Sequence, residues 1–145
     1  MKSIKYAIAT ACIALTACGG GGGTDSDKSV FGTWKGDLFL VNRTANCQGN
    51  IPDSINRTIV VEEPTPGDKR AVVSILGEEV DGRGNIKGDT LVTYFGDFCM
   101  KCTTKNTELT PLGDGTADFD YTITVNLNSY DNKCTVKYRG QLTRG

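Results

Sequence analysis

The sequence predicts an all-β domain, an eight-stranded antiparallel up-and-down barrel with a β-sandwich as the alternative, and three observations carry that reading. Apolar and polar residues alternate strictly along Ala117, Phe119, Tyr121, Ile123, Val125 and Leu127, the period of a half-buried strand. No window in the folded part carries a helical period. Clusters of turn formers separate the candidate strands at close intervals, as sandwiches and barrels require.

Thr33 to Val41 opens the series, and the long polar segment from Asn42 to Asn56 follows it. Runs rich in β-branched residues, Arg57 to Glu63 and Lys69 to Leu76, are joined by Pro64-Thr65-Pro66-Gly67-Asp68, whose prolines and glycine stop both strands. Arg83 to Lys87 and Thr90 to Phe95 are joined by Gly88-Asp89, a two-residue hairpin signal. Lys101 to Leu109 is more polar and reaches the Ala117 strand through Pro111 to Gly115. After the turn formers Asn128 to Lys133, alternation resumes at Cys134, Val136, Tyr138 and Leu142.

Three segments precede and include this domain: 1–17, 18–29 and 30–145. Residues 1–17 carry Lys2 and Lys5, then an apolar stretch, then small residues, the three zones of a secretory signal. The stretch is shorter than the roughly 20 apolar residues that a membrane-crossing helix needs. It ends in Leu15-Thr16-Ala17-Cys18-Gly19, which resembles the lipobox of bacterial lipoprotein precursors. That resemblance implies cleavage before Cys18, a diacylglyceryl group on its thiol, a palmitate-bearing anchor and a place in the cell envelope. Gly19, where an Asp would signal retention, resembles outer-membrane sorting. The glycines 19–23 and the polar residues after them read as a flexible tether.

Loss of Lys2 and Lys5 with the signal takes the net charge from −1 to −3. A mildly acidic chain without a basic block is a poor nucleic-acid binder, because that affinity comes largely from phosphate neutralisation.

With Cys12 in the signal and Cys18 lipidated, Cys47, Cys99, Cys102 and Cys134 remain, an even number in an exported domain and hence two disulfides. Their pairing stays open among three schemes, two of which join Cys47 and Cys134 separately to the Cys99-Met100-Lys101-Cys102 pair and so pin the long loop. A meander of eight strands puts all four cysteines at or beside one end. It also brings Cys134, at the start of the last strand, near the end of the first strand and Cys47. The same four thiols suggest a zinc site, but structural zinc through four cysteines usually uses two such knuckles and only one is present, so no metal is expected.

Gly32-Thr33-Trp34, the eight-strand count and the long loop after the first strand resemble the lipocalin and avidin-type small barrels. The resemblance implies that Trp34 plugs a closed end and that a basic residue of the last strand, Arg139 or Arg144, packs over it.

Histidine is absent, which removes the commonest general base and rules out Ser-His and Cys-His nucleophilic machinery. Carboxylate pairs such as Glu78 with Glu79 or Asp118 with Asp120 leave a hydrolase as a remote alternative, and they lie in a turn or on a solvent face. Asp81 to Asn85 and Asp114-Gly115 superficially resemble calcium loops, but each lacks the ligand series and reads as turn chemistry. No catalytic residue and no cofactor is expected. Phe98 and Tyr130, at the cysteine end, are the candidates for a ligand or partner contact. The expected function is that of a non-catalytic binding module meeting an envelope protein or glycan, with a carrier of a small apolar ligand as the alternative.

Overall fold

In the computed structural model, which describes residues 28–78, 81–96, 103–129 and 132–145, eight strands follow one another around a ring. They are β1 (Gly32–Arg43), β2 (Ser54–Glu62), β3 (Ala71–Ile75), β4 (Gly82–Lys87), β5 (Thr90–Phe95), β6 (Thr103–Pro111), β7 (Thr116–Ser129) and β8 (Asn132–Arg144). Each pairs antiparallel with the next, and β1 pairs antiparallel with β8, so the sheet closes as a barrel and not as a sandwich. Closure removes the exposed edges that an open eight-stranded sheet would present.

Several strand boundaries differ from the sequence reading: β1 runs on to Arg43, β2 begins at Ser54 instead of Arg57, β7 continues to Ser129 and β8 begins at Asn132. Two further differences have a plain local cause. Lys69 and Arg70 belong to the turn before β3, where Asp68 Oδ1 accepts from the Arg70 N–H at 2.9 Å and holds the chain out of the ladder. Pro111 ends β6 instead of opening a loop, opposite Ala117, a terminal position where the missing N–H interrupts nothing further along the ladder.

The interior is layered. At the end where the domain begins, Trp34 is completely buried and donates from Nε1 to the Val30 carbonyl at 2.9 Å, so residues 28–30 lie across the barrel floor. Arg144 stacks on the indole with 4.6 Å between its guanidinium carbon and the ring centroid. The role foreseen for either basic residue thus falls to Arg144; Arg139 points outward and pairs with Asp120. Hiding an indole of about 200 Å² contributes roughly 5 kcal/mol of hydrophobic stabilisation.

Above this floor, Leu91, Leu109 and Phe119 lie side by side along the ladder and are buried. The next row is different in kind. Thr93 faces Thr107, Thr107 faces Tyr121 and Tyr121 faces Tyr138, so four hydroxyl side chains follow one another around the inner wall. Opposite Thr93 stands Gly84, where a Cβ would come within 2.6 Å of the Thr93 hydroxyl. The β1–β8 seam is equally tight: a Cβ on Gly140 would lie 2.3 Å from the Asp37 carbonyl oxygen.

Candidate functional site

Antiparallel order puts the ends of β1, β3, β5 and β7 and the starts of β2, β4, β6 and β8 at the end opposite Trp34. The disulfide links Cys47 and Cys134 at this end, with their Cα atoms 4.7 Å apart. The meander had already brought these two positions together. Their direct bond overturns both schemes in which each is joined separately to the Cys99/Cys102 pair. Cys99 and Cys102, with Phe98, Tyr130, Glu79 and the lipidation candidate Cys18, lie outside the described residues.

Several polar bonds hold the start of the 44–53 loop against β8. Thr44 donates its N–H to the Thr135 carbonyl at 3.0 Å, and its hydroxyl accepts from the Thr135 N–H at the same distance. Asn46 donates from Nδ2 to Asn132 Oδ1 at 2.8 Å. Further along the loop, the Tyr138 hydroxyl donates to the Pro52 carbonyl at 2.9 Å.

Beside the disulfide is a recess of about 510 Å³. Val125, Leu127 and Cys134 supply its apolar part, and Asn46, Gln48 and Asn132 its polar part. Those three amides both donate and accept hydrogen bonds and carry no charge, which suits a neutral polar partner such as peptide backbone or sugar hydroxyls.

Sequence reasoning named Glu78 only as half of a carboxylate pair and missed the group it joins at the same end. Glu78, three residues beyond β3, accepts from Lys105 Nζ at Oε2 and from the Tyr121 hydroxyl at Oε1, the latter at 3.3 Å. Arg57 Nη2 stands 4.0 Å from Oε1, and the same guanidinium lies 5.9 Å from the centre of the Tyr121 ring. Burial, with the Glu78 carboxylate second, pushes the Tyr121 phenol far above its ordinary range, so it stays protonated and donates. The signal was available in strand parity: Arg57 shares a face with Ile59 and Val61, and Lys105 shares one with Thr107 and Leu109.

The Asp118/Asp120 pair sits on the outer face of β7. Asp120 receives two hydrogen bonds from Arg139, at 2.6 and 3.2 Å, and forms an ion pair with Lys137 at 3.2 Å. The Arg139 guanidinium holds its carboxyl below the usual range, the reverse of what a general acid needs. Asp114 accepts from the Thr116 N–H at 2.9 Å and closes the β6–β7 turn, as turn chemistry predicts. Among the described residues, no three His, Cys, Asp or Glu side chains are grouped to hold a metal ion.

No protein-family model, no curated protein and no solved structure matches this chain.

Proposed function

We propose that this chain is an envelope lipoprotein, anchored through Cys18 to a membrane, and that its barrel is a non-catalytic binding module. The observation that supports this most is the asymmetry of the two ends. Trp34 and Val30 stopper the end where the tether joins, while the loops, the Cys47–Cys134 bond and the amide-lined recess gather at the opposite end. A tether at the stoppered end aims the recess away from the bilayer, toward an envelope protein or glycan. Lipobox sorting points to the outer membrane. The Gly32-Thr33-Trp34 opening and the Arg144 stack support grouping the barrel with the lipocalin and avidin type.

The alternative carrier of a small apolar ligand has weaker support, because Arg57, Glu78 and Lys105 make the mouth of the interior charged. No nucleic-acid partner is proposed.

Two measurements test the reading. Labelled palmitate should enter the wild-type protein and not Cys18→Ser, and labelling of both would remove the anchor from the proposal. A photo-crosslinking residue at Gln48 should give a discrete product with an envelope protein or glycan in intact cells, and one at Lys87, near the stoppered end, should give none. Equal products at both positions, or none at Gln48, would refute the loop end as the contact surface.

A further inference from the structure

We infer that the upper interior of the barrel is a binding site for a small organic carboxylate, and that Glu78 is its resting occupant. The site is distinct from the amide-lined recess and does not depend on what that recess meets.

Three features of the wall carry this. First, the charges do not balance. Arg57 from β2 and Lys105 from β6 converge on one carboxylate, and among the described residues no second anion pairs with either. Asp53, beyond Tyr138, is exposed and forms no ion pair with them. Surplus positive charge in a part-buried ring is costly unless an anion is supplied.

Second, the wall has hydrogen-bonding capacity that Glu78 leaves unused. Arg57 Nε is buried and has no hydrogen-bond partner among the described residues. The same holds for the hydroxyl of Thr93, a residue with no exposed surface, in the inner row that runs through Thr107 to Tyr121. Buried polar atoms in folded proteins are normally satisfied, so Arg57 Nε beside the Glu78 carboxylate and the Thr93 hydroxyl deeper in the ring leave hydrogen-bonding capacity for a polar guest.

Third, Glu78 belongs to a connection and not to the wall. It sits directly after Gly77, whose positive φ of 89° makes a tight turn, and its N–H bonds the Ile75 carbonyl at 3.0 Å. The groups that hold its carboxylate come from β2, β6 and β7, so rotation of one side chain gives up all of the carboxylate's contacts with the wall. The side chains of Glu78, Lys105 and Arg57 retain 23, 23 and 28 % exposure, so solvent and a small solute reach them.

A carboxylate replacing that of Glu78 would accept from Lys105 Nζ and Tyr121 Oη and approach Arg57. Next to Lys105 along the ladder, Phe95 and Ile123 offer apolar contact to the body of the ligand. The ligand class is therefore a monocarboxylate with a compact apolar or aromatic body.

The test uses benzoate as probe and neutral benzamide as its control, with affinities measured by calorimetry on the wild-type protein and on Glu78→Gln. The variant keeps the shape of the side chain and removes its charge. It should bind benzoate at least tenfold more tightly than wild type and leave benzamide unchanged. Arg57→Gln with Lys105→Gln, added to Glu78→Gln, should abolish the gain. If Glu78 is only a structural tie, the variant unfolds more easily and gains no benzoate affinity, or gains equally for benzamide; either result overturns the inference. Emission from Trp34, far from the mouth, reports whether each variant is folded.

Discussion

Replacing Cys47 and Cys134 by serine asks how much the barrel depends on a covalent clasp beside the seam where β8 meets β1. The bond joins positions 87 residues apart, so the loop it closes contains β2 to β7. In the chain-entropy treatment the stabilisation grows with the logarithm of loop length and reaches about 4–5 kcal/mol here. The Thr44 bonds to Thr135 and the β1–β8 ladder already hold the same seam, which leaves room for the native state to keep its geometry without the bond. Measured disulfide contributions typically fall lower than the entropic figure, so we expect the double variant to lose about 2–4 kcal/mol. The bond acts mainly on the unfolded chain. Its removal lets that chain expand and expose more surface, so the urea m-value should rise as the midpoint falls. Equilibrium urea unfolding followed by emission of Trp34, the sole tryptophan, measures both quantities. A loss under about 0.5 kcal/mol with an unchanged m-value would refute the argument that this clasp restrains the open chain.

Arg144→Ala should cost about 0.5–2 kcal/mol and alter Trp34 emission without unfolding the protein, since it removes a cation from the face of a buried indole; unchanged emission would contradict the stack. Gly140→Ala should destabilise by about 1–3 kcal/mol or more in thermal melts, because its Cβ meets the Asp37 backbone, which cannot swing aside as a side chain could. Asp68, held by hydrogen bonds from the Arg70 side chain and backbone, should titrate at about 2, and Arg70→Ala should raise that midpoint in a carbon-detected NMR titration. Its folded pKa is depressed, so its contribution to stability is present above the ordinary carboxylate range and is lost as pH falls toward about 2.

Much of the fold was legible because strand signals are local. The alternation from Ala117 to Leu127 places Ala117, Phe119 and Tyr121 on one buried face, and Gly88-Asp89 terminates two strands without reference to anything distant. The proximity of Cys47 and Cys134 followed from counting, since an even number of antiparallel strands returns the last beside the first. The candidate site was less legible. Glu78 was placed correctly in a turn, but nothing local says that the turn leans over the ring. Arg57, at the start of a β-branched run, and Lys105, within a more polar one, carry no local mark of a site, although parity assigns both to the inner face.

By itself, then, the sequence determined the lipobox expectation at Cys18, the strand series and the side of each strand that faces inward, because export signals, turns and period-two alternation are written in neighbouring residues. Only the tertiary structure decided that the sheet closes, that Cys47 bonds Cys134 directly, and that one carboxylate is shared by two cations and a buried phenol. Those contacts join β2, the β3–β4 connection, β6 and β7 across the ring. Their energies depend on distances that exist only once β1 has met β8.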